Sequence, residues 1–89
     1  MTQSITPEQM LALQAVIQKK LRPISIFMTY SHCGFPLVCL SGPWNQRFQD
    51  LINTCRKLDI DIDVIDDKHF QIYSDNIEAV TGLLTITKI

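Results

Sequence analysis

No apolar run in this chain approaches the roughly 20 residues a helix needs to cross a bilayer. The opening MTQSITPEQM has neither the basic start nor the apolar stretch of a secretory leader. Neither a membrane role nor export is expected. A basic excess is missing as well. Eight Lys and Arg stand against nine Asp and Glu, a formal charge of −1, which argues against general electrostatic binding to nucleic acid or anionic lipid. Three cysteines, Cys33, Cys39 and Cys55, are an odd number without the spacing of a disulfide framework. A reducing cytoplasm with free thiols is the expected compartment. Repeats, linkers and low-complexity segments are absent. So are a nucleophile–base pair and a cofactor motif, so neither an enzyme nor a bound cofactor is expected.

What the chain does have is 46% hydrophobic residues in a length of 89, enough for one packed domain over residues 1–89 and too short for a second core. Stability should lie near the low end of the usual ~5–15 kcal/mol. A homodimer would be one remedy for so small a core.

The elements follow from caps and periodicity. Thr6-Pro7-Glu8-Gln9 is a helix start, with Thr6 as cap, Pro7 in the first turn and Gln9 closing a capping box. Met10, Leu13, Ile17 and Leu21 then share one face, and Pro23 ends the helix. Residues 24–31 alternate as a half-buried strand, with Phe27 out of pattern. Turn residues at Cys33-Gly34-Phe35-Pro36 lead into the apolar run Leu37 to Leu40, completing a hairpin. Ser41-Gly42-Pro43 reads as the start of a second helix, whose stripe is Trp44, Phe48, Leu51, Ile52, Cys55 and Leu58. An acidic strand comes next, then a turn at Asp66-Asp67-Lys68 and a strand with Phe70 and Ile72 inward. Asp75 and Glu78 suggest a capping box for a short helix ended by Gly82, and residues 83–89 a fifth strand.

The expected fold is α+β in the order α-β-β-α-β-β-α-β, mostly antiparallel. From Leu37 onward it is the βαββαβ unit of ferredoxin-like sheets, extended by an N-terminal helix and an extra strand. Helices should cover one sheet face and leave the other open.

Five of the nine acidic residues fall between Asp59 and Asp67. In a strand, Asp59, Asp61 and Asp63 share one face and Ile60, Ile62 and Val64 the other. Neighbours on one face lie ~6.6 Å apart, a spacing tolerable in water and costly if buried. The carboxylates are therefore expected on a wet face. Such charge keeps sheets from pairing edge to edge, and a purely solubilising face is one reading. A docking surface for a basic protein is another, with spaced carboxylates imitating phosphates and speeding association. As hard ligands for calcium or magnesium, Asp61, Asp63, Asp66 and Asp67 lack the glycine and glutamate of an EF-hand loop. A single strand also does not converge on a point, so no metal is expected.

Other groups are weaker. His32, Cys33 and Cys39 have no C-x-x-C knuckle for zinc, and neighbours on a strand point oppositely, which disfavours a Cys–His pair. Cys39 and Cys55 are expected as small core residues. The strand aromatics Phe27, Tyr30, Phe35 and Tyr73 lie apart from the basic clusters, and neither RNP-like motif is present, so direct RNA binding is not expected.

A glycine and proline between strand and helix within a βαββαβ order is similar to small amino-acid-sensing regulatory domains of the ACT type. That resemblance implies a ligand site near Ser41, Gly42 and Trp44 and a dimeric state; the NIEAVTG helix is shorter than that family's. The favoured expectation is a small non-enzymatic regulatory protein, such as a phage-type or accessory inhibitor of a nucleic-acid-handling partner. It would act by protein–protein contact through Asp59, Asp61, Asp63, Asp66 and Asp67 on a basic surface.

Overall fold

The computed structural model describes residues 5–89; the first four residues of the opening stretch read above lie outside them. Helix α1 spans Pro7–Leu21, strand β1 Ile26–Tyr30, β2 Pro36–Leu40, helix α2 Gln46–Lys57, β3 Asp61–Asp66, β4 His69–Tyr73 and helix α3 Ile77–Ile86. The class is α+β, with three helices and a four-stranded antiparallel sheet in the order β1-β2-β4-β3 among the described residues.

Helix α1 starts as its sequence dictates. The Gln9 amide N–H donates to Thr6 Oγ1 at 3.1 Å, and the Thr6 N–H donates to Gln9 Oε1 at 3.0 Å. All four stripe residues, Met10, Leu13, Ile17 and Leu21, are buried. Helix α2 differs from expectation at its start. It begins at Gln46, and Asn45 is the cap, its Oδ1 accepting from the Phe48 N–H at 3.0 Å. Pro43 and Trp44 therefore precede the helix. Asn45 outcompetes the earlier serine because the Ser41 hydroxyl and N–H both donate to the Ser25 carbonyl, at 2.7 and 2.9 Å. Trp44 still packs on Phe48, ring centroids 3.8 Å apart.

The expected fifth strand is not formed. Residues 83–86 continue α3, which Asn76, not Asp75, caps by accepting from the Ala79 N–H at 3.0 Å. Ile77, Val80 and Leu84 are buried at helical spacing. Gly82 lies inside the helix. The place beside β2 that a C-terminal strand would fill in the βαββαβ order is held by β1. Its tight hairpin to β2, closed by Ser31 and Phe35, pairs all five residues in register. With that edge filled, α3 packs on α1 and buries Ile77, Val80 and Leu84, leaving Leu83 and Ile86 exposed.

One parity rules the sheet. Ile26, Val38, Leu40, Ile62, Phe70 and Ile72 point at the helices and join Leu13, Ile17, Phe48, Leu51, Ile52 and Leu84 in a single core. Their odd-numbered neighbours point the other way, onto a face that no helix covers among the described residues.

Candidate functional site

Register lines the open face up in rows across the strands. Phe27 lies beside Cys39, then His69, then Asp66; Thr29 lies beside Leu37, then Gln71, then Asp63. A third row sets the Phe35 ring against Tyr73, centroids 5.3 Å apart, with Asp61 next to Tyr73. Each row runs from apolar or neutral side chains on the β1–β2 side to a carboxylate on β3. The face is graded rather than uniformly acidic.

Asp61 and Asp63 are exposed on this face, as their alternation with Ile62 and Val64 requires. Asp66 joins them by a different route. The register slips between Val64 and Asp66, so that Ile65 is an extra residue and Asp66 opposes His69. Without that bulge Asp66 would point at the core. Its carboxylate accepts from the Lys68 N–H at 2.8 Å and meets His69 Nδ1 at 2.8 Å. The Lys68 N–H, and after it His69, hold the Asp66 carboxyl below its ordinary range. Asp67 is exposed at the hairpin tip.

Asp59 does not belong to the row, which corrects the strand reading. It lies between α2 and β3 with φ of 59°, in the left-handed region. There the Ile60 N–H donates to the Cys55 carbonyl at 2.9 Å and the Asp59 N–H to that of Arg56 at 3.2 Å. This pair of bonds is a Schellman ending, and Asp59 stands where glycine is usual. The strand cannot begin until that turn is complete, so Asp59 is lost from the face.

The face also contains residues that alternation alone did not single out. Leu37 is half-buried, Gln71 is buried with its Nε2 donating to Ser31 Oγ at 2.8 Å, and Ile65 is 52% exposed. With Ser31, His32 and Tyr30 they line a cleft of about 270 Å³. Phe27 is 59% exposed; an apolar residue among the polar outward positions Ser25, Thr29 and Ser31 was the one signal for it. Cys39 is buried, as expected, but on this face and apart from the main core cluster. Desolvation, then the nearby Asp66 carboxylate, raises its thiol pKa. Cys55 does sit in the core, and burial pushes its thiol up to about 11. Cys33 and His32 are exposed in the β1–β2 turn. Among the described residues, no three His, Cys, Asp or Glu side chains come together as a metal site.

Ser41, Gly42 and Trp44 lie on the linker between β2 and α2. Ser41 is engaged with Ser25, Trp44 with Phe48, and Gly42 faces the Ile24 side chain, whose Cδ1 would lie 2.8 Å from an added Cβ. The two larger clefts are elsewhere. One of about 420 Å³ is lined by Val16, Lys19, Lys20, Arg47 and Ile89 among others, and one of about 620 Å³ lies between α1 and α3.

What the fold and this face define is a class: a small α+β protein with helices on one side of its sheet and an uncovered face, graded from apolar to acidic, on the other. Compared with known proteins, the chain matches no family model, no curated protein and no solved structure.

Proposed function

We infer that the chain is a non-enzymatic binding protein that docks its open sheet face on a basic protein surface. The observation that carries this reading is the grouping of Asp61, Asp63 and Asp66 on one solvent-facing side. Among the described residues no Lys or Arg lies within ion-pair reach of them; the one ion pair is Asp66 with His69. Carboxylates left without cations are free to meet those of a partner.

The grading narrows the partner chemistry to arginine rather than lysine. An arginine stem can lie along Leu37 and Ile65 in the cleft while its guanidinium reaches Asp63, and a second can stack on Phe27, Phe35 or Tyr73. Arginine-rich grooves that hold nucleic acid in other proteins have this chemistry, so an accessory regulator or inhibitor of such a protein is the functional class that fits best.

Replacing Asp61 and Asp63 by Asn tests it. Both are exposed, so the melting curve should stay unchanged, while affinity for an arginine-rich peptide or the cognate partner should fall by about tenfold or more at low salt. Equal affinity of variant and parent at low salt removes the proposal.

A further inference from the structure

The two edges of the sheet are built differently. The β3 edge carries Asp61, Asp63 and Asp66 and the bulge at Ile65, two devices that discourage another strand from pairing there. The β1 edge, Ile26-Phe27-Met28-Thr29-Tyr30, has no charge, no proline and no bulge, and is paired residue for residue on its inner side.

Which backbone groups it leaves free can be worked out. The Ser41 N–H donates to the Ser25 carbonyl, and the Ser31 N–H to the Phe35 carbonyl. In an antiparallel pair, inward and outward groups alternate by residue. Phe27 and Thr29 therefore bond to β2, and Ile26, Met28 and Tyr30 present their N–H and C=O outward. Gln18 confirms the parity, since its Oε1 accepts from the Ile26 N–H at 2.8 Å and its Nε2 donates to the Ile24 carbonyl at 2.7 Å. One side-chain amide thus fills the beginning of the edge as a neighbouring strand would. Among the described residues, the Ile26 C=O, both Met28 groups and both Tyr30 groups remain without a partner.

That remainder is self-complementary, and we propose that β1 pairs antiparallel with β1 of a second copy of this chain about a two-fold axis at Met28. The Met28 N–H and C=O would bond to those of Met28 in the second copy. Each Tyr30 N–H would donate to the opposite Ile26 carbonyl, giving four bonds. None of them needs a group that Gln18 occupies, so Gln18 sets the register and stops the pairing from sliding further.

Side chains on both sides of the edge suit this occupant. Helix α1 runs antiparallel to β1, because the Tyr30 hydroxyl donates to the Ile5 carbonyl at one end while Gln18 holds Ile24 and Ile26 at the other. Leu11 lies two turns before Gln18 on the same flank of α1, away from the flank where Gln9 and Lys20 meet α3. It is 65% exposed, and Phe27 on the open face is 59% exposed. In the pair, Leu11 would approach Leu11 of the second copy above the joined edges, and Phe27 would lie over the opposite Thr29 below them. The acidic β3 edges would end up farthest apart, which keeps the carboxylate faces free and like charges separated.

Sedimentation of the full chain from low micromolar to millimolar concentration tests the proposal, together with amide hydrogen exchange over the same range. The expected result is a rise to twice the 10.2 kDa chain mass. The Met28 and Tyr30 amides should slow with concentration, while those of Phe27 and Thr29, already bonded to β2, should not. Leu11→Lys and Phe27→Lys, both at exposed positions, should each weaken self-association by about tenfold or more. A single-chain mass at millimolar concentration overturns the proposal. So does a dimer in which Met28 and Tyr30 exchange at a rate independent of concentration, a readout that needs no variant to fold.

Discussion

Asp59 carries a left-handed backbone at the end of α2 that glycine would adopt without a steric penalty. Its carboxylate also stands at the negative end of the α2 dipole. Asp59→Gly should therefore raise stability by about 0.5–1 kcal/mol, seen as a rise of several degrees in thermal unfolding of so small a domain. Asp59→Val should lower it, because a β-branched side chain is strained at that φ. Asp66 works through protonation instead. Its carboxyl is held below the ordinary value, so the stability it contributes is full above the unfolded-state pKa, about pH 4, and is lost as pH falls through the depressed folded value. The stability gap between parent and Asp66→Asn should be constant above that window and close as pH falls through it in acid unfolding, with the variant flatter. Of the acidic residues, Asp61 and Asp63 were legible from strict alternation with Ile62 and Val64. Asp59 was not, since its place depends on how α2 ends, and Asp66 reaches the face only through a bulge that period two does not announce.

Among the elements, α1 was legible to the residue because every signal agreed: cap, proline, capping box and apolar stripe. Residues 83–89 were not. Leu83-Leu84-Thr85-Ile86 is β-branched and apolar enough to read as a strand, and Gly82 looks like a stop. Helix wins by packing, with Ile77, Val80 and Leu84 placed on α1. The hydroxyls of Thr81 and Thr85 donate to the carbonyls of Ile77 and Thr81, four residues back, at 2.8 and 2.6 Å. Gly82 then costs helical stability without a steric need, since an added Cβ would meet nothing within 4 Å. Gly82→Ala should stabilise the chain by about 0.5–1 kcal/mol in chemical denaturation.

At the scale of the molecule, the class and an uncovered sheet face followed from the pattern of elements, whereas strand order did not. Either β1 or a C-terminal strand could have flanked β2, and local sequence does not rank them. Charge separation emerges only in three dimensions: the carboxylates of β3 lie on the open face, while Lys19, Lys20 and Arg47 surround a cleft among the helices. Association with a basic partner should accordingly lose on-rate steeply as salt rises, with dissociation changing little, as stopped-flow mixing across ionic strength would record.

The three thiols are sorted by the same architecture. Cys55 is locked in the core and Cys39 lies under its neighbours on the sheet, both harder to ionise than a free thiol, while Cys33 stands in the β1–β2 turn in contact with solvent. An alkylating dye or spin label offered to the native chain therefore has one point of attachment, at the rim of the uncovered face, and a reporter there would sense an arriving partner without any residue being replaced.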